Sequence, residues 1–309
     1  MTQLTPAEAI AKLQRGDSLA RAELSYIDLG GANLDGGNLS EAYLRGANLA
    51  AASCQAANFH EAILIRADLG RADFAKADLT GAKLTAARCY QTNWCEADLT
   101  GAHLYGATLD GAIAHGATLT KADLSEITGE ALDFQGADLG KAYLTEASLR
   151  QANLTSTRLR QTVWQAARLQ QCDFRGADLG AAILIRASLQ ECDCTEASFS
   201  GAYLQEITAS DTRFVGSELV EAVLSHSQFA RVSFRLATLF ATNLEGATFQ
   251  TVDFGNANLE DANLENTRWQ GECNLAGTKV RGAELAGATG LSTVQAEYFR
   301  ENGALNVPR

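Results

Sequence analysis

Basic residues are in short supply in this chain: Lys and Arg number 25 against 37 Asp and Glu, for a net charge of −12 and a pI near 4.8. Such a surface repels nucleic-acid phosphate and anionic lipid, so no direct nucleic-acid or membrane partner is expected. Long apolar runs are missing too, and none approaches the length needed to cross a bilayer. The opening Met1-Thr2-Gln3-Leu4-Thr5-Pro6 has neither a basic nor an apolar region of the kind that directs secretion. Cysteine is present seven times, an odd number, without a CxxC pair or regular spacing. That argues against a secreted disulfide framework. A soluble cytoplasmic protein is the expectation. No nucleophile elbow, Walker loop, HExxH or Ser/His/Asp set can be placed, so neither an enzyme nor a cofactor or metal site is expected.

What the chain does have is metre. From Leu24 to Trp269 every fifth residue is a centre suited to burial, and the phase never slips. Of these 50 centres 31 are Leu, 10 are Phe and 3 are Trp; the others are Cys54, Cys89, Cys194, Ala114, Ala209 and Gly129. Two residues before each centre the occupant is small, Ala in 33 cases. Ala67-Asp68-Leu69 and Ala177-Asp178-Leu179 state the rule, A(D/N)LXX. A period of five fits neither helix nor strand, and self-similarity at a fixed short period signals a solenoid.

The pattern resembles the pentapeptide-repeat family. That resemblance implies an all-β solenoid: a right-handed quadrilateral β-helix with 20 residues per coil, here about twelve or thirteen coils. At ~4.8 Å per coil it would be a rod roughly 60 Å long. The sequence carries its own check on the number 20. Sorted by that period, the centres fall into four columns, and six Phe share one of them with a Trp: Phe74, Trp94, Phe134, Phe174, Phe214, Phe234 and Phe254. Ala114 lies beside Trp94 in this column, a small residue making room for a large one. Ile127 before Gly129 and Ile207 before Ala209 read as a similar exchange, a large residue at the small site matched by a small centre.

Three segments follow: a capping helix within 1–18, the repeats over 19–291, and a second capping helix and tail over 292–309. Thr5-Pro6-Ala7-Glu8 reads as a capped helix start, with Ile10 and Leu13 facing the first coil and Gly16 as the stop. The phase slips by one residue near 271–275. Ser292, with Gln295 three residues on, opens the second helix, expected to carry Val294, Tyr298 and Phe299 and to end near Gly303.

Cys172 and Cys192, 20 apart, should stack at an inward site beside Cys194, and packing is the reading preferred over a disulfide or metal site. His60, His103, His115 and His226 all fall at outward positions. The periodic Asp residues can bond local backbone at the corners. The distinctive signal is on one outer face. The residue before the centre reads Tyr43, Ile63, Lys83, His103, Asp123, Tyr143, Val163, Ile183, Tyr203 and Val223, and the residue after it adds Ile65, Tyr105 and Ile185. Two other faces carry mostly Asp or Asn there, and the fourth Thr, Ser and Arg. A stripe made of Tyr43, Ile63, Ile65, Tyr105, Tyr143, Val163, Ile183, Ile185, Tyr203 and Val223 is the candidate protein-interaction surface, best from Tyr143 to Val223.

The leading functional expectation is a non-catalytic scaffold or adaptor that docks a protein partner, or its own copy as a homodimer, along this stripe. The resemblance implies two alternatives. One is a DNA-mimicking modulator of gyrase, as in fluoroquinolone-resistance members of the family. The other is an accessory protein of type VI secretion, suggested by the capped helix followed by Gly16-Asp17-Ser18-Leu19.

Overall fold

The computed structural model describes residues 4–309. The first three residues, part of the expected cap and of the stretch read for a secretion signal, lie outside the described residues. The chain forms two compact units, Met1–Arg158 and Leu159–Arg309, each a parallel β-solenoid.

In the first unit, the residue before each centre bridges its counterpart 20 residues on, always in parallel: Glu23 to Tyr43, Tyr43 to Ile63, Ile63 to Lys83. The second unit repeats the scheme, with Val163 to Ile183, Ile183 to Tyr203 and Tyr203 to Val223. Four bridge columns give each unit four faces. Face A carries these residues, and faces B, C and D follow at steps of five. At 20 residues per coil, residues 19–158 make about seven turns.

The local chemistry explains the period. Within a rung the centre's N–H donates to the next coil, as Leu44 does to the Ile63 carbonyl at 2.9 Å, and Ile63 N–H returns a bond to the Ala42 carbonyl at 2.9 Å. The chain then turns. The Leu44 carbonyl accepts from Ala47 N–H at 3.0 Å, and Gly46 between them has a φ of +62°. A positive φ at that point is the mark of a type II turn. Large residues adopt it at the same place throughout, among them Tyr26, Lys76, His226 and Leu236. Such conformations are unfavourable for L residues, and the rung hydrogen bonds and inward packing hold them. At Gly46 a side chain would also meet an obstacle, because the Tyr26 ring lies where its Cβ would be, 2.7 Å away.

On face B the turn opens. Strands β1 (Thr128–Glu130) and β2 (Ser148–Arg150) pair in parallel in the first unit. In the second, β3 (Arg168–Gln170), β4 (Ser188–Gln190), β5 (Thr208–Ser210), β6 (Gln228–Ala230), β7 (Thr248–Gln250) and β8 (Arg268–Gln270) pair in sequence order, register offset by 20 except where the ladder later slips. Here the N–H groups three residues after the centre, such as those of Thr212, Val232 and Val252, no longer bond the centre's carbonyl among the described residues. The longer strand replaces that bond.

Aromatic rings stack as the column predicts. Phe214 and Phe234 lie 5.1 Å apart at 13°, and Phe234 and Phe254 5.4 Å apart at 9°. A second column escaped the sequence reading: Phe229 stacks on Phe249 at 5.7 Å, and Phe249 meets Trp269 at 4.7 Å. The two columns touch edge to face, as at Phe249 and Phe254. At Gly129 a Cβ would meet Leu132 and Leu149 at 3.4 and 3.5 Å, and Ile127 is fully buried nearby in the chain.

Helix α1 spans Pro6–Gln14 with Thr5 as N-cap and a reciprocal bond to Glu8. Its buried residue is Ala9, whereas Ile10 and Leu13 are only half-buried, Leu13 packing over Gly37. The single-residue slip falls where expected: Gln250 pairs with Gln270, but Asp253 with Asn274. Helix α2 spans Thr293–Glu301, capped by Ser292 and Gln295. Of the residues it was expected to carry, Phe299 is buried edge-on to Trp269 and Val294 is 74% exposed; Ala296 is buried as well. The helix also stands in for a missing rung: Gln295 Nε2 donates to the Cys273 carbonyl at 3.0 Å and Tyr298 Oη to the Thr278 carbonyl at 2.9 Å. The tail then re-enters the ladder, Leu305 pairing with Glu284.

Candidate functional site

The position before each centre decides what a face can do. Where it is Asp or Asn, the side chain accepts from the backbone N–H two residues on: Asp68 from Gly70 at 3.0 Å, Asp98 from Thr100 at 2.9 Å, Asp178 from Gly180 at 3.0 Å. Neighbouring rungs also cross-link, as Asn93 Nδ2 does to Asp73 at 2.8 Å. The acidic rows on faces C and D are therefore turn-building residues.

On face A four successive rungs give that bond up, while Asn243 and Asn263 further along keep it. In the second unit Val163, Ile183, Tyr203 and Val223 stand in register one rung apart, Ile185 at the turn beside them. The N–H groups at the turns they precede, those of Gln165, Ile185, Gln205 and Ser225, find no acceptor among the described residues. Tyr203 is 46% exposed, and the Val and Ile side chains are half-buried. Two residues that sequence reasoning missed extend the patch: Val220 and Phe240, at the turn leading into this face, of which Phe240 is 38% exposed. Their signal was the first turn position of the preceding repeat, which a reading confined to the stripe does not inspect. Apolar exposure is not confined to face A, however; Ile113 on face C and Leu236 at a turn are also exposed.

In the first unit Tyr43, Ile63 and Ile65 form a shorter patch, and Lys83, His103 and Asp123 separate it from Tyr143 on the same ladder. Glu126 beside Tyr105 pushes its phenol above the ordinary value.

Burial pushes the Cys54 and Cys89 thiols well up, and Cys192, beside Cys172, is raised by that contact and by burial. All are thiols, none a disulfide. Among the described residues no three His, Cys, Asp or Glu converge on a possible metal position. Among the described residues no helix is long and apolar enough to cross a membrane.

Comparison with known proteins agrees on the repeat. A model described as pentapeptide repeats (8 copies) matches residues 22–53, 52–88, 87–126, 132–163 and 165–193, and one described as a pentapeptide repeat region matches 182–264. No curated protein matches. Among solved structures, a trypsin-treated form of QnrB1, a plasmid-mediated fluoroquinolone resistance protein, is 19% identical, covering 69% of this chain and 94% of its own at a TM-score of 0.49. HetL, involved in heterocyst differentiation regulation in the cyanobacterium Nostoc sp. strain PCC 7120, is 22% identical over 92% of both chains, with a TM-score of 0.27. Both fall too low in identity and superposition to carry function across. The family models, matching well over half of its length, make this chain a member of the pentapeptide repeat family.

Proposed function

We propose that this protein is a non-catalytic interaction scaffold that binds a protein along face A of its second unit. One observation carries the reading: Val163, Ile183, Tyr203 and Val223 put four successive half-exposed apolar side chains at the position that is polar or charged on the other faces of this unit. The fold does not ask for this, since faces C and D build the same turn with polar residues. A solenoid face is already ordered before contact, so docking on it loses little conformational entropy. Apolar rows of this kind suit the core of an interface. The gyrase reading leans on acidic charge, part of which also serves turns, as at Asp98 and Asp178.

Capture from the native cell tests it. Immobilised protein is exposed to extract, and the retained proteins are identified by mass spectrometry with and without Tyr203→Lys. Loss of a specific retained protein on substitution supports the reading; an unchanged set sinks it.

A further inference from the structure

We infer that face A of the second unit takes a second copy of this chain, packed antiparallel about a two-fold axis midway between the Ile183 and Tyr203 rungs. This rests on the reading of that face as an interface and commits it to one occupant.

Three observations lead there. The first is spacing: the side chains recur once per rung, at about 4.8 Å, whereas a docked helix repeats every 5.4 Å and drifts out of step. Another face of the same solenoid keeps step along its length. The second is charge. With a net charge of −12, two copies repel, most strongly where Asp173 and Asp193 or Asp178 and Glu218 line faces C and D. The row on face A from Val163 to Val223 is uncharged.

The third is symmetry within the face. Inverting the order of rungs about that axis brings Ile183 opposite Tyr203 of the second copy and Val163 opposite Val223, so the largest side chain meets a smaller one. At the turn that ends these rungs, Arg186 and Glu206 occupy equivalent places on successive coils and pair within the chain at 2.8 Å. The same inversion sets Arg186 against Glu206 of the second copy, and Glu206 against Arg186, closing a four-membered alternating ring of charge. At the opposite edge Gln161 comes to Glu221, while the small Ala181 and Gly201 meet each other. An in-register parallel pair instead puts Tyr203 on Tyr203 and leaves the charged groups without opposite partners. A two-fold contact of this kind is self-complementary by construction.

Sedimentation and directed cross-linking of the full chain test the inference. All substitutions are made on Cys95→Ser, which removes the one half-exposed thiol and leaves the buried six. Concentration-dependent dimers are expected, and Ile183→Glu, which enters the contact twice, should weaken them at least about a hundredfold. Mixed under mild oxidation, Val163→Cys and Val223→Cys proteins should form a covalent dimer that neither gives alone. Monomer at every concentration overturns the inference, as does cross-linking by Val163→Cys alone. A monomer that still loses its captured protein on Tyr203→Lys removes the dimer and leaves the interface reading standing. A dimer indifferent to Ile183→Glu, with capture equally indifferent to Tyr203→Lys, removes both.

Discussion

Replacing Trp94 with phenylalanine should disturb this protein far less than the same change at Trp164 or Trp269. All three indoles are buried and each follows a threonine by two residues. In two cases the threonine serves the ring: Trp164 Nε1 donates to Thr162 Oγ1 at 2.8 Å and Trp269 Nε1 to Thr267 Oγ1 at 3.0 Å. Those hydroxyls in turn donate to the carbonyls of Leu159 and Leu264. Thr92 is turned otherwise, donating to the Leu69 carbonyl in the preceding coil at 2.8 Å, and Trp94 Nε1 has no acceptor among the described residues. A buried donor left unpaired costs about 1–3 kcal/mol, and a satisfied bond contributes about 0.5–1.5 kcal/mol. Loss of ring volume is common to the three changes. The difference between Trp164→Phe and Trp94→Phe should therefore be about 2–4 kcal/mol, with Trp94→Phe the milder. Solenoids open locally, so the assay is hydrogen-exchange mass spectrometry on peptides spanning each substituted rung. Equal loss of protection at the two rungs would refute the reasoning.

Three further outcomes follow from the geometry. Under native conditions Ellman's reagent should modify Cys95 alone among the seven cysteines, the remainder reacting only on unfolding, because burial keeps them as inaccessible thiols. Glu8 is held below the ordinary carboxylate value by hydrogen bonds from Thr5. Its folded value being the lower one, its support of helix α1 is complete above about pH 4.5 and is lost as pH falls below that. Exchange protection over residues 5–14 should fall there before that of the rungs, and Thr5→Ala, costing the helix about 1 kcal/mol, should abolish the pH step. Gly70→Ala would put a Cβ 2.0 Å from the Tyr90 ring. It should lower the melting temperature, and Tyr90→Ala should recover most of the loss when combined with it.

Much of the architecture is legible in the sequence because one physical rule is repeated fifty times. A leucine one residue out of place would be invisible in an ordinary domain; here it would break a column. The Phe214, Phe234 and Phe254 stack follows from arithmetic alone, and the same sorting applied to Phe229, Phe249 and Trp269 would have revealed the second stack. What resists reading is the non-repetitive end. Helix α2 has nine residues, too few for periodicity to separate Val294 from Ala296 as the inward position. Leu305 rejoins the ladder without a preceding repeat to announce it. The rotamer of Thr92, on which the fate of an indole N–H depends, has no trace in the sequence at all. The candidate face was legible as a row of side chains, but Val220 and Phe240 became part of it only through the turn.

The end of the second unit bears on how such chains change length. Gln295, Tyr298 and Leu305 satisfy the final coil from outside the repeat, and nothing in that arrangement refers to how many coils precede it. A duplication or deletion of one coil's worth of codons further upstream would leave the terminus intact and every surviving column in phase. Growth by whole coils is then structurally neutral at the boundary, and what selection acts on is the new row of outward side chains.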